Sequence, residues 1–392
     1  MKTIQNRSKY IFAIWRRSLF TQTLNNTVNL LEVPDVCESE EWNSAVLRSR
    51  AILQKYRANL RIINPPNVKQ IVSVQSVIKR LQETASCSDH LISTFKCLFE
   101  NTDATVKTLR WPGLITLMLS KGLGNPFLSD NFVSKALDDV VWSSQVTLAE
   151  IINLLHCSIV FEKENKRVLS SKKIKKSTMP SVDADIVANR YFTSTVLYKL
   201  STVKNYKVLL LLANVLESLA INRSSNNNDF QVIHNIGEWE YEAFHPRGLL
   251  LASGCQATLE LAGYDNKIQE TAFEFGHCFA LAIKANSDIQ QYWKYKTSQT
   301  SSIDITSFPI VLHLTNNPET LASIYNSRKD LDNLNSSELN EIFTSTSIMD
   351  EAKDQLASYV QKTVNVLKLF KDLGNDEVIK YLLKLITTLN MK

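Results

Sequence analysis

The stretch from Leu356 to Leu389, LASYVQKTVNVLKLFKDLGNDEVIKYLLKLITTL, decides the fold class. Apolar residues recur in its first half at steps of three and four, which places them on one face of a helix: Leu356, Val360, Val364, Leu367 and Phe370. A second apolar run follows, with Val378, Ile379, Leu382, Leu383, Leu385, Ile386 and Leu389. Between the runs, Gly374 suits the end of one helix, and Asn375 or Asp376 suits the N-cap of the next. The stretch predicts two consecutive amphipathic helices.

Glycine and proline are scarce along the whole chain. The 392 residues include 9 Gly and 9 Pro, well under half the usual share of roughly 7% Gly and 5% Pro. Sandwiches, barrels and folds with glycine-rich nucleotide loops need many glycines for tight turns and phosphate contacts. The composition therefore favours an all-α protein of long helices joined by short loops. We find no alternating strand pattern and no internal repeat.

Charge and metal-binding residue types exclude several function classes. The chain carries 44 Lys and Arg against 39 Asp and Glu, a net charge of +5, which is too mild to indicate a nucleic-acid partner. Its six cysteines include no C-x-x-C pair and its six histidines no i,i+4 pair. The sequence thus supports neither a disulfide scaffold nor a zinc centre, and we expect ordinary reduced thiols.

Residues 1–31 contain no acidic residue; Glu32 is the first. Five basic residues lie in this segment, namely Lys2, Arg7, Lys9, Arg16 and Arg17. The last two interrupt its apolar stretch, which excludes a signal-peptide core and a membrane span. The pattern is typical of a mitochondrial presequence, and the alternative is an ordinary basic tail on a cytosolic protein. We expect a presequence and leader over residues 1–40, a single large helical domain over 41–392, and a location in the mitochondrial matrix.

Three further segments predict local structure. The most apolar run, VLLLLA at 208–213, is too short to cross a bilayer and predicts a buried central helix. We expect no transmembrane segment. Residues 163–180 carry seven Lys and Arg residues and predict a basic loop, either merely solvated or in contact with phosphate or anionic lipid. The polar segment 222–229 predicts a second loop.

Three landmarks occur in a recognisable order over about residues 107–293. The first is WPGLITLML at 111–119, and the second is TLAEIINLLH at 147–156. The third begins with LELAG at 259–263 and continues with FGH at 275–277 and AIKANSD at 282–288. They resemble three helices of the trans-prenyl diphosphate synthases: the one after a Gly-Lys-x-x-Arg-Pro element and the two that lead into the aspartate-rich motifs. The resemblance implies an all-α, isoprenoid-synthase-type helical bundle.

The resemblance also implies a chemistry that needs metal ions. In the family, aspartates at i and i+4 hold Mg²⁺, which prefers oxygen ligands and neutralises the leaving diphosphate of an allylic substrate. Basic side chains bind the diphosphate of the isopentenyl donor.

Nearly all of the corresponding positions differ here. The first aspartate-rich motif falls on Lys163, Glu164 and Arg167, and the second on Ser287, Asp288 and Gln291. The Phe-Gln pair before the second motif falls on Ile283 and Lys284. The family's Lys-Thr element falls on Pro246 and Arg247, and the Lys and Arg of its first basic element fall on Thr108 and Trp111.

The charge at the two motifs argues against metal binding. Six aspartates would carry a formal charge of −6, whereas here Lys163 and Arg167 balance Glu164 and Asp288. We therefore assign this chain no catalytic residue, no metal ligand and no bound cofactor. Glu164 and Asp288 are either residual ligands or, in our interpretation, solvated or ion-paired side chains.

A chain that keeps the helices and loses both metal sites resembles a noncatalytic family member. We expect a subunit of a heteromeric long-chain trans-polyprenyl diphosphate synthase that supplies the ubiquinone side chain, with Mg²⁺ in a catalytic partner subunit. The assembly would be a heterodimer or a heterotetramer. The helices around 151–161 and 208–220 are candidates for the shared surface, because family dimers pack through helices that adjoin the active site. Two alternatives remain: an active prenyltransferase with a divergent metal site, and an unrelated helical scaffold.

Overall fold

A computed structural model describes residues 39–57, 111–126, 132–171, 181–225, 235–298, 306–319, 346–371 and 373–390. Within these ranges the regular elements are helices, which confirms the all-α class. In chain order they are α1 (Glu40–Arg57), α2 (Trp111–Leu123), α3 (Phe132–Ser171), α4 (Ser181–Val203), α5 (Tyr206–Ser225), α6 (Ile236–Ala243), a π-type turn (Phe244–Gly248), α7 (Leu249–Ala262), α8 (Asn266–Ser298), α9 (Phe308–Asn316), α10 (Thr346–Lys368) and α11 (Asp376–Thr387).

The chain forms two compact units. One takes residues 1–35, 63–108 and 173–188, and the other takes residues 36–62, 109–172 and 189–392. Nearly all of the described residues belong to the second unit, and every contact given below lies within it. The predicted boundary between a leader and a helical domain at residue 40 stays a prediction.

Helix α7 is the centre of the second unit. It packs against α2, α3, α5 and α8, and ten of its side chains or glycine positions are buried: Leu250, Leu251, Ala252, Ser253, Gly254, Cys255, Ala257, Thr258, Leu259 and Ala262. Helix α8 passes between α7 and α10. Gly276 on α8 permits a close approach, because a Cβ there would stand 2.6 Å from Cα of Ala252 and 2.9 Å from its nitrogen.

The sequence prediction that residues 208–213 form a buried central helix is wrong. Helix α5 buries Val208 and Leu212 against the rest of the unit, but Leu209 is 41% and Leu210 46% exposed. Consecutive leucines point all round a helix, and α5 has only one packed side. Among the described residues, no helix has both the length and the apolar character needed to cross a membrane.

The two predicted loops are helical where the structure describes them. Helix α3 continues through Lys163 to Ser171, and α5 continues to Ser225. The segment FEKENKRVLSS at 161–171 contains no Gly or Pro and several good helix formers. Closely spaced charged residues are compatible with a solvated helix and do not by themselves end one. Residues 172–180 and 226–234 lie outside the described ranges.

The two C-terminal helices follow the apolar pattern. Helix α10 buries Leu356, Val360 and Leu367, while Val364 is half-buried. It ends at Lys368, ahead of Gly374, because i→i+3 hydrogen bonds over residues 366–373 tighten its end. Gly374 serves a close contact instead, since a Cβ there would overlap the carbonyl of Gly122.

The start of α11 agrees with one of the two N-caps that the sequence offered. Oδ1 of Asn375 accepts a hydrogen bond from the backbone N–H of Glu377 at 2.9 Å. The backbone N–H of Asn375 donates to the carbonyl oxygen of Gly122 at 2.5 Å. The second of these bonds fixes the start of α11 against the end of α2.

Candidate functional site

The three positions of the second aspartate-rich motif lie on α8 in different environments. Asp288 is buried, Ser287 is half-buried, and Gln291 is exposed. Asp288 is the single carboxylate at these three positions, and it has little contact with solvent.

The Asp288 carboxylate is surrounded by donors from the protein itself. Trp239 of α6 donates its indole N–H to Oδ2 at 3.2 Å, and the backbone N–H of Phe308 donates to the same oxygen at 3.1 Å. The ammonium of Lys284, one turn earlier on α8, lies 2.6 Å from Oδ2 and also contacts Oδ1. A buried carboxylate is tolerated when it is paired and hydrogen-bonded in this way.

The contact with Phe308 has a local structural reason. Phe308 is the first residue of α9, whose N-cap Ser307 makes no side-chain capping bond. The first N–H groups of a helix have no partner within it, and the helix dipole favours negative charge there. Asp288 supplies that acceptor from α8, so it acts as a cap for α9.

Aromatic side chains surround this carboxylate. The rings of Trp239 and Phe308 lie 4.6 Å apart, and Tyr359 of α10 lies 6.0 Å from Phe308 and 6.4 Å from Trp239. The Tyr359 hydroxyl donates to Oε1 of Glu240 at 2.6 Å. Burial, and then that hydrogen bond and the charge of Glu240, raise the pKa of Tyr359. Tyr359 is thus a neutral donor in this region.

The position of the family's Lys-Thr element is a kink. Pro246 and Arg247 lie in the π-type turn between α6 and α7, after a His245 whose φ of −97° and ψ of 131° are not helical. A proline disfavours helical dihedrals in the residue before it and cannot donate to the preceding turn. Both Pro246 and Arg247 are half-buried.

His277 of α8 packs against the same kink. Its ring meets that of Phe244 at 4.5 Å in an edge-to-face arrangement. Burial lowers the pKa of His277, while the charges of Glu240 and Glu274 oppose that change. The imidazole is therefore held towards its neutral form.

Trp111 stands where the resemblance places an arginine, at the start of α2. Its indole is buried and meets His156 of α3 edge-to-face, with the ring centroids 5.4 Å apart. The Trp111 indole nitrogen has no hydrogen-bond partner among the described residues. This position therefore contributes to the packing of α2 on α3. Thr108 lies outside the described residues.

The first motif lies on the C-terminal part of α3. The backbone at Lys163, Glu164 and Arg167 is helical, and their side chains lie outside the described residues.

The described residues do not fit a Mg²⁺ site. Mg²⁺ takes nearly octahedral oxygen ligands and is usually held by carboxylates plus substrate phosphates. Both oxygens of Asp288 are already engaged by donors, one of them an ammonium. In the described part of the chain, no three His, Cys, Asp or Glu side chains lie close enough together to hold a metal ion.

The sequence reasoning missed the residues that surround Asp288. The Lys284–Asp288 pair has the i,i+4 spacing that brings side chains together on a helix, so this part was accessible from the pattern. Trp239, Phe308 and Tyr359 lie far away in sequence, and the pattern contained no signal that would bring them to α8.

Comparison with known proteins supports the resemblance. No protein-family model matches the chain. A human protein named All trans-polyprenyl-diphosphate synthase PDSS2 is 29% identical over 217 residues, which cover 53% of this chain and 54% of the human protein. The mouse protein of the same name is 25% identical over 284 residues, which cover 69% of this chain and 68% of the mouse protein. The chain thus spans about half the length of its human relative.

Solved structures agree in fold. The heptaprenyl diphosphate synthase of Staphylococcus aureus superposes with a TM-score of 0.56 at 16% identity and covers 82% of this chain and 97% of its own. A decaprenyl diphosphate synthase from Rhodobacter capsulatus gives a TM-score of 0.54 at 11% identity, over 87% and 98% of the two chains. The chain thus has the all-α fold of the trans-prenyl diphosphate synthases and resembles the polyprenyl diphosphate synthases in sequence.

Proposed function

We propose that this chain is a noncatalytic subunit of a heteromeric long-chain trans-polyprenyl diphosphate synthase. The observation that carries the proposal is Asp288, the single carboxylate of the second motif, whose oxygens are engaged by Lys284, Trp239 and Phe308. The similarity to proteins named as polyprenyl diphosphate synthases supports the general class.

The energetics favour a noncatalytic role over a rebuilt active site. In this chemistry Mg²⁺ ions neutralise the leaving diphosphate, and each is worth several kcal/mol of transition-state stabilisation. Every 1.36 kcal/mol is a factor of ten in rate, so losing even one ion would slow turnover by orders of magnitude. In the proposed assembly, a heterodimer or a heterotetramer, Mg²⁺ is held by the catalytic partner. The long prenyl product would form the side chain of ubiquinone.

Helix α5 is the better of the two candidate surfaces for that partner. Tyr206 is 71% and Ile221 60% exposed, and Leu209 and Leu210 lie on the same helix. The other candidate, around residues 151–161, is buried within this chain from Ile151 to Ile159. Obligate interfaces are more hydrophobic than ordinary surface and resemble a domain core cut in half. The exposed apolar side of α5 has that character.

The decisive experiment compares three preparations: this chain, its catalytic partner, and the two co-expressed. Each receives MgCl₂, farnesyl diphosphate and isopentenyl diphosphate, and product chain length is measured. We expect no long product from this chain alone, weak activity from the partner alone and full activity from the pair. Turnover by the isolated chain above a metal-free blank would refute the proposal, as would a partner that is fully active and unaffected by this chain.

The proposed location is the mitochondrial matrix. A segment with five cationic residues before its first acid would be drawn inward by the negative matrix potential. Deleting residues 2–31 should abolish mitochondrial import while the remaining chain still assembles with its partner. Imaging of the deleted chain tests this, and unchanged mitochondrial targeting would count against the presequence.

A further inference from the structure

Lys284 and Asp288 form an ion pair that is unequally exposed. The side chain of Lys284 is 32% exposed, whereas that of Asp288 is 6% exposed. The Lys284 side chain is therefore partly in water, whereas the Asp288 side chain that it contacts is almost fully enclosed. The ammonium nitrogen of Lys284 also lies 5.8 Å from the centroid of the Trp239 ring, within the range of a cation–π contact.

The pair lies at a junction of three helices. Trp239 comes from α6, Lys284 and Asp288 come from α8, and Phe308 begins α9. These three helices pack against one another pairwise. Asp288 thus collects one donor from each neighbouring helix and a positive charge from its own.

A divalent ion at a carboxylate supplies positive charge and draws side chains from several helices together. Here a side chain of α8 supplies the charge, and two N–H groups supply the links to α6 and α9. We propose that Lys284 is a built-in cation that replaces a divalent ion at Asp288 and fixes the junction of α6, α8 and α9 without metal. This inference concerns the chain's own stability and its response to Mg²⁺, so it is independent of the proposed subunit role.

The unequal burial predicts unequal effects of substitution. Lys284→Met keeps the length of the side chain but leaves a buried carboxylate without a charged partner, and we expect the unfolding equilibrium constant to rise about 100-fold. Asp288→Asn keeps an oxygen acceptor for Trp239 and Phe308 and leaves an ammonium that can turn to water. We expect a rise of about tenfold or less.

The double variant carries the sharpest expectation. In the Lys284→Met background no ammonium remains, so Asp288→Asn removes an uncompensated buried charge and should restore stability. We therefore expect Asp288→Asn to destabilise the wild-type chain and to stabilise the Lys284→Met variant. A cation–carboxylate pair at the surface gives the matched control, because Lys207 beside Glu260 is 63% exposed. Lys207→Met should change the unfolding constant by less than about fivefold.

The experiment is urea unfolding of the purified full chain and its variants, in MgCl₂ and in NaCl of equal ionic strength. We expect the wild-type midpoint to be the same in both salts. Two results would overturn the proposal: Asp288→Asn destabilising both backgrounds equally, or Mg²⁺ stabilising wild type but not Asp288→Asn. If Lys284→Met does not fold, a folded double variant supports the proposal and a double variant that also fails to fold overturns it.

Discussion

Replacing Gly276 by Ala tests the close approach of α7 and α8. The new Cβ would stand 2.6 Å from Cα of Ala252, whereas carbon atoms pack best at roughly 3.5–4.0 Å. Helices α7 and α8 would therefore have to separate by about 1 Å at this point, since that difference cannot be absorbed by a rotamer change. Overpacking a core lowers the free energy of unfolding by about 1–3 kcal/mol. The loss here should lie at the upper end of that range, because the new Cβ would meet backbone atoms of Ala252.

A smaller effect acts in the opposite direction. Alanine is favoured over glycine inside a helix by roughly 0.5–1 kcal/mol. We therefore expect Gly276→Ala to lower the free energy of unfolding by about 2 kcal/mol, which is a large part of the 5–15 kcal/mol that is usual for a folded protein.

Urea unfolding followed by circular dichroism measures this change. The matched control is Gly237→Ala on α6, an exposed position where a Cβ would meet only Oδ1 of Asn235, at 3.3 Å. We expect the control to leave the free energy of unfolding unchanged or to raise it by up to about 1 kcal/mol. If Gly276→Ala unfolds at the same urea concentration as wild type, the close approach of α7 and α8 is not as described.

Three further predictions concern single side chains. Leu210→Glu on the exposed side of α5 should abolish co-purification with the catalytic partner and leave folding intact. Its control is Leu212→Ala at a buried position, which should destabilise the chain by about 2–5 kcal/mol. Thermal unfolding separates loss of partner binding from loss of stability. Asn375→Ala removes the cap of α11 and should cost about 1 kcal/mol in urea unfolding. Because burial lowers the pKa of His277 in the folded state, stability present above the unfolded value of 6.5 should be lost as pH falls below it. His277→Gln should reduce that loss in unfolding midpoints measured from pH 7 to 5, and an unchanged pH dependence would contradict the assignment.

Periodicity predicted the helices better than their ends. The face of α10 and the N-cap at Asn375 follow from local spacing, because helical periodicity and capping depend on neighbours in sequence. The end at Lys368 does not, since Gly374 is needed for its contact with Gly122. The dense positive charge of residues 163–171 wrongly predicted a loop, because charge density is compatible with a helix as well as with a loop.

Which helix is central and which side chains surround Asp288 are decided by tertiary contacts. Hydrophobicity alone favoured 208–213 as the central helix, whereas α7 is central because four helices pack around it. The twelve motif positions could be located by resemblance, and Asp288 could be paired with Lys284 by its i,i+4 spacing. That Trp239 and Phe308 complete its contacts could not be predicted, because they approach from 49 and 20 residues away.

The set of donors around Asp288 also bears on whether single substitutions could create a metal site in this sequence. Changing Lys284 first would leave a buried negative charge, and adding an aspartate at Ser287 first would place a second negative charge next to an acid that is already paired. Either change, made first, lowers stability before a bound metal ion could offset the loss. A metal site at Asp288 would therefore require both positions to change together, because either change alone weakens the junction that Asp288 holds between α6, α8 and α9.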